Sequence, residues 1–134
     1  MKVVFLGAPG AGKGTQAARM AERFDLRHAS TGEMFRRAAG EGSELGRTVK
    51  GYLDSGALVP DEVTSRVVEQ TVIDSEENYI LDGYPRTIGQ ARDLAAMLQQ
   101  RRQSLDGVLY FDVPDAVAVE RLTGRLVCSR CGAN

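Results

Sequence analysis

The sequence predicts an α/β fold, a parallel sheet with helices on both faces, and three observations carry that expectation. Short β-branched runs alternate along the chain with stretches of helical apolar spacing. A cluster of glycines breaks the first run, at Gly7, Gly10, Gly12 and Gly14. A second run, Tyr79-Ile80-Leu81, ends in the turn sequence Asp82-Gly83-Tyr84-Pro85-Arg86. Strands alternating with helices wind into a right-handed parallel sheet. Such sheets take their ligands at the carboxyl ends of the strands, which is where both turns lie.

Each element follows from local pattern. Lys2–Leu6 reads as a buried parallel strand, being β-branched and aromatic without alternation. The helix after the glycines carries Ala17, Met20, Ala21 and Phe24 on one face. Arg27–Ser30 is at most a short second strand. Ser30-Thr31-Gly32-Glu33 matches a capping box and opens the next helix. Five glycines between positions 40 and 60 (Gly40, Gly42, Gly46, Gly51, Gly56) predict short, mobile helices there. Pro60-Asp61 starts a firmer one bearing Val63, Val67, Val68 and Val72. Thr87 caps a long helix whose apolar face is expected to be Ile88, Ala91, Ala95 and Leu98. Val108–Phe111 is a further strand, and a helix runs from Pro114 to about Thr123.

The 134 residues suit one domain, with no linker, repeat or low-complexity tract. With 43% apolar and 26% charged residues the composition is that of a globular protein. Seventeen basic against 18 acidic residues, a net charge of −1, argue against a nucleic-acid binder. No apolar run approaches the ~20 residues that cross a bilayer, and the N-terminus is too soon broken by glycine for a signal peptide. The reading is cytoplasmic, with no membrane partner. Of the Lys and Arg residues only Lys2, Lys13 and Lys50 are lysines and the rest are arginines, so an arginine's position, not its type, must carry any argument.

Gly7-Ala8-Pro9-Gly10-Ala11-Gly12-Lys13 follows a strand and opens a helix, the context of a P-loop. Glycines let successive N–H groups converge on phosphate oxygens, and the helix N-terminus adds a favourable dipole. Lys13 brings a cation on a flexible stem. Gly14 takes the slot after it and the hydroxyl residue, Thr15, comes one later. These residues, Gly10 to Thr15, are the candidate ATP-phosphate site.

The form G-x-P-G-x-G-K-G-T resembles the adenylate kinases and their nucleoside-monophosphate-kinase relatives. The resemblance continues in order through Ser30–Arg36, Gly56–Glu62, Asp82–Thr87 and Glu120–Arg125, and so covers essentially the whole chain. It implies the P-loop nucleoside-monophosphate-kinase fold and transfer of the ATP γ-phosphoryl group to AMP, giving ADP. By that resemblance Thr31, Arg36, Ala57, Leu58, Val59, Gly83, Arg86 and Gln90 form the AMP site. Lys13, Arg86, Arg121 and Arg125 would act on the transferring phosphate, the last two also binding ATP. Asp82 would hold Mg²⁺ through water. The implied layout is a core of residues 1–29 and 60–124, an AMP-binding helical insert of about 30–59, and part of a lid at about 125–134.

Plainer readings stand beside several of these. Thr87 with Gln90 is also a capping-box pattern, and Asp82 before glycine is also a turn former. Arg36 beside Arg37 also fits a solvated helix face, and Ala57–Val59 fits helix-to-loop packing. AMP's own phosphate is the nucleophile, so no general base is needed; His28 reads as a structural residue flanking a strand. Cys128 and Cys131 form a C-x-x-C, half of a zinc site or a redox pair; the resemblance favours the zinc knuckle of long-lid bacterial adenylate kinases. It also implies that the last strand and C-terminal helix of the family are missing, leaving Val108–Phe111 as an exposed edge and turnover impaired. The expected state is a monomer. The alternatives are a non-catalytic nucleotide-binding module and a kinase for CMP, UMP or GMP.

Overall fold

Lys2–Gly7 (β1) forms the centre of a four-stranded sheet with Arg27–Ser30 (β2), Tyr79–Asp82 (β3) and Gly107–Phe111 (β4). The structure, a computed structural model, describes residues 1–75 and 77–124; Arg125, Cys128 and Cys131 lie outside them. The spatial order is β2-β3-β1-β4 and every pairing is parallel. The doubly covered parallel sheet is therefore as expected. Arg27–Ser30 is a full member of it.

Both faces of β1 are buried, which is why its sequence is apolar without alternation. Val3 and Phe5 point towards Lys13–Phe24 (α1), where they meet Ala17, Leu26 and Ile80. Val4 points the other way, into the larger core. That core is filled from Thr31–Gly40 (α2), Glu44–Ser55 (α3), Asp61–Thr71 (α4) and Ile88–Gln100 (α5). Asp115–Thr123 (α6) follows β4, and its buried Ala118 sits against the glycine loop.

Three expectations about faces and lengths need correction. The glycine-rich stretch holds a regular helix, α3, of 12 residues, as long as α1. Ser43 caps its start, accepting from the Gly46 N–H at 3.0 Å, and Gly56 closes it in the left-handed region at φ 68°. Phe24, placed by periodicity on the buried face of α1, is 53% exposed with the Arg23 guanidinium over its ring. In α5 the buried residues are Gln90, Leu94, Met97 and Leu98, whereas Ile88 is 74% exposed. Small alanines at positions 91 and 95 gave the sequence an apparent stripe on the wrong side. Packing favours the larger Leu94 and Met97.

Candidate nucleotide-binding cleft

The segment from β1 into α1 supplies the centre of the site. Gly10 and Gly12 have φ of +82° and +92°, a region other residues avoid. No side chain caps α1, so its first N–H groups remain available to an anion. Space adds a second reason for Gly10: a Cβ there would lie 2.7 Å from the Ala118 carbonyl oxygen of α6. Lys13 Nζ folds back to donate to the Gly7 and Ala8 carbonyls, each at 2.8 Å. Burial pushes the Lys13 ammonium below its usual range; Asp82 opposes that shift and the Arg86 charge adds to it.

Asp82 closes β3 in register with Phe5 of β1 and Ser30 of β2. Its carboxylate is largely buried, with Oδ2 at 3.0 Å from His28 Nε2 and 3.4 Å from where a Gly14 Cβ would stand. His28 thus belongs to the site's surroundings rather than merely to a strand flank. Register explains this: His28 and Ser30 share one face of β2, beside Ile80 and Asp82 on β3. Without the register, the sequence offers no sign of the pair.

Across the cleft, Arg86 is held by its neighbours. Its Nε donates to the Gly83 carbonyl at 2.7 Å and Nη2 to Thr31 Oγ1 at 3.1 Å. Gly83, at φ +87°, leaves room for both partners; a Cβ would stand 3.0 Å from each. The preceding loop is anchored by Tyr84, fully buried, whose Oη lies 3.0 Å from Ser65 Oγ and 3.1 Å from the Gln90 carbonyl. Burial pushes this phenol's pKa upward.

A cleft of about 1000 Å³ is lined by Gly10, Lys13 and Thr15 from the segment joining β1 to α1, and by Thr31, Gly83 and Arg86. Asp82 and Arg121 also line it. A neighbouring cavity of about 900 Å³ lies beside Ala11, Gly12 and Phe24 and shares Arg121, whose Nη1 is 3.4 Å from the Gly10 carbonyl oxygen. The cleft therefore gathers cations along its length, with the carboxylate of Asp82 among them.

Other candidates stand apart. Arg36 is exposed, its guanidinium near Gly32 on the first turn of α2, and it does not line the cleft. Ala57 and Leu58 are exposed, Leu58 at 93%, and Val59 is half-buried; none of the three lines it either. Gln90 is only 5% exposed and its amide is used within the protein. Oε1 accepts from the Arg86 N–H and Nε2 donates to Asp61 Oδ1, each at 2.7 Å. Thr87 caps α5 as expected, accepting from the Gln90 N–H at 3.1 Å. The Gln90 side chain, however, reaches one residue beyond the capping position, to Arg86.

Hard oxygen donors suit Mg²⁺, which keeps most of its water shell. Asp82 and the Thr15 hydroxyl line the same cleft as the helix N-terminus, and this donor set fits such an ion. Among the described residues no three of His, Cys, Asp and Glu gather into a metal cage. Cys128 and Cys131 lie outside the described residues. No helix among the described residues is long and apolar enough to cross a membrane.

The family description "Adenylate kinase" matches residues 5–129. An adenylate kinase of Fervidobacterium nodosum is 48% identical over 134 residues, covering 98% of this chain and 62% of the relative. One from Caldanaerobacter subterraneus subsp. tengcongensis is 49% identical over 135 residues, covering 99% and 61%. An adenylate kinase of Oceanobacillus iheyensis is 48% identical, with 98% and 62% covered. The chain thus spans about three-fifths of the length of these relatives.

Proposed function

The chain belongs to the adenylate kinase family, and on that premise we propose that it transfers the γ-phosphoryl group of ATP reversibly to AMP, giving ADP. The observation that carries the reading is a single cleft bordered by the phosphate loop and by Thr31, Gly83 and Arg86. Donor and acceptor phosphates have to meet in line, and this cleft has cationic groups on both sides of the meeting point.

In this reading the N–H groups of Gly10–Thr15 hold the ATP phosphates. Lys13 exchanges its two carbonyl partners for phosphate oxygens. Arg86 releases Thr31 and Gly83 to reach both phosphoryl groups, while Arg121 and Arg125 steady the charge of the transferring group. Mg²⁺, when bound, supplies charge neutralisation between the phosphates; Asp82, oriented by His28, would hold it through water. No residue needs to remove a proton, because the attacking oxygen already bears charge. Residues 30–59 form the AMP-binding insert, with Thr31, Arg36, Ala57, Leu58, Val59, Gly83 and Gln90 on the acceptor side. Residues 1–29 and 60–124 form the core, and about 125–134 part of a lid. The C-x-x-C supports assigning that lid to the zinc-bearing long form, with Cys128 and Cys131 as half of its metal site.

A coupled ADP assay on this chain, with AMP, CMP, UMP and GMP as acceptors, tests the reading. ADP formation that depends on AMP and falls by about 100-fold or more in both Lys13→Ala and Arg86→Ala is expected. Near-wild-type rates in either variant would remove that residue from the mechanism. Nucleotide binding without turnover would instead favour the non-catalytic module, and preference for another acceptor a different monophosphate kinase.

A further inference from the structure

Asp61, the first residue of α4, makes contacts that its place at a helix start does not require. Its Oδ1 accepts from Gln90 Nε2 at 2.7 Å and its Oδ2 from the Thr87 hydroxyl at 2.5 Å. Gln90 in turn accepts the Arg86 N–H on Oε1 at 2.7 Å. A carboxylate only accepts and a backbone N–H only donates, so these two partners fix which way the Gln90 amide faces. The amide has little freedom otherwise, being 5% exposed. The result is an unbroken chain of hydrogen bonds from the end of the 30–59 segment, through Asp61 and Gln90, to the backbone that carries Arg86. From there the Arg86 guanidinium continues it to Thr31, at the segment's beginning.

We propose that Asp61 is a positioning residue for the acceptor side of the cleft: its carboxylate orients the Gln90 amide, and that amide holds Arg86 in place. The proposal rests on the acceptor role given above to Arg86. A charge-only account of Asp61, as a favourable acid in the first turn of α4, would not involve Arg86 at all. A phosphate-loop account would not either, since neither Asp61 nor Gln90 borders the cleft.

The discriminating experiment compares Asp61→Ala with Asp61→Asn. Asparagine keeps one acceptor oxygen for Gln90 Nε2, and its amide can donate to Thr87 Oγ1, so it preserves the hydrogen bonds while removing the charge. Affinities for AMP and for ATP are measured by calorimetry, and exchange of the Arg86 amide by NMR without nucleotide. Asp61→Ala is expected to weaken AMP by about tenfold, the size of one lost charge-assisted hydrogen bond, to weaken ATP clearly less, since the phosphate loop holds most of its phosphates, and to speed Arg86 amide exchange. Asp61→Asn is expected to stay within about twofold of the wild type. Gln90→Glu, which sets a second carboxylate against Asp61, is the independent variant and should lose the same Arg86 protection.

Unchanged Arg86 exchange in both Asp61→Ala and Gln90→Glu would overturn the proposal. So would equal losses for ATP and AMP, or an Asp61→Asn as damaging as Asp61→Ala. A wild-type chain that binds no AMP would overturn the acceptor-side function instead, and Arg86 exchange alone would then decide the positioning role.

Discussion

Tyr79 begins β3 with its side chain fully buried and its hydroxyl without a hydrogen-bond partner among the described residues. Burial, aided by the Asp106 carboxylate, pushes its pKa from 10.0 up to about 12. The folded state thus favours the neutral phenol. That preference contributes stability in full below about pH 10, and it is lost as pH rises from there to about 12. Tyr79→Phe removes both the orphaned hydroxyl and the titration. The variant should melt at or above the wild-type temperature at pH 7, because an unpaired buried hydroxyl costs about 1–3 kcal/mol. It should also lose less stability between pH 10 and pH 12 than the wild type, with Lys13 and the other titrating groups common to both. A variant melting several degrees lower at neutral pH would show that the hydroxyl is satisfied after all. What the sequence reveals at this scale depends on how far away a residue's partner lies. Lys13 and Arg86 were legible because each sits in a compact local motif. His28 and Asp61 were not, since Asp82 is 54 residues from the one and Gln90 29 from the other.

Among the elements, α3 shows why glycine content alone misjudged the helical segment. Gly46 is there for contact: a Cβ would stand 2.2 Å from the Ala38 carbonyl oxygen of α2, a backbone atom that cannot swing aside. Gly51, in the same helix, has open space around it. Helix propensity favours alanine over glycine by about 1 kcal/mol at either position. At Gly46 the clash should dominate, and Gly46→Ala is expected to destabilise by about 1–3 kcal/mol, as overpacking does. Gly51→Ala should stabilise by about 0.5–1 kcal/mol. Urea unfolding of the two variants gives opposite displacements of the midpoint; displacements of the same sign would mean that α2 and α3 do not pack this closely. The helix start at Ser43 and stop at Gly56 are local and could be read from sequence. Which glycine faces a partner helix is a tertiary fact. The face of α5 was misread for a similar reason, since small alanines mimic a core stripe that the larger Leu94, Met97 and Leu98 actually form.

At the scale of the whole molecule the sheet is well covered at its centre, and among the described residues β4, one of its two edge strands, carries exposed apolar side chains. β1 and β3 are buried on both faces, whereas β4 pairs only with β1 among the described residues. Val108, Leu109 and Tyr110 are 54%, 41% and 70% exposed, although they alternate between the two faces of the strand. An apolar strand with a free row of N–H and C=O groups is a template for pairing with another chain. Among the described residues β4 is such an edge, and it has a measurable consequence. Static light scattering should show association that grows with protein concentration. Val108→Lys should suppress it, because a charged side chain on an edge strand discourages a second strand. Val119→Lys removes an apolar residue of similar exposure, 57%, from α6, which has no free edge. It should leave the association unchanged. Equal suppression by both variants would assign the association to exposed apolar area in general. A wild-type chain that stays monomeric at high concentration would mean that the β4 edge is protected in solution.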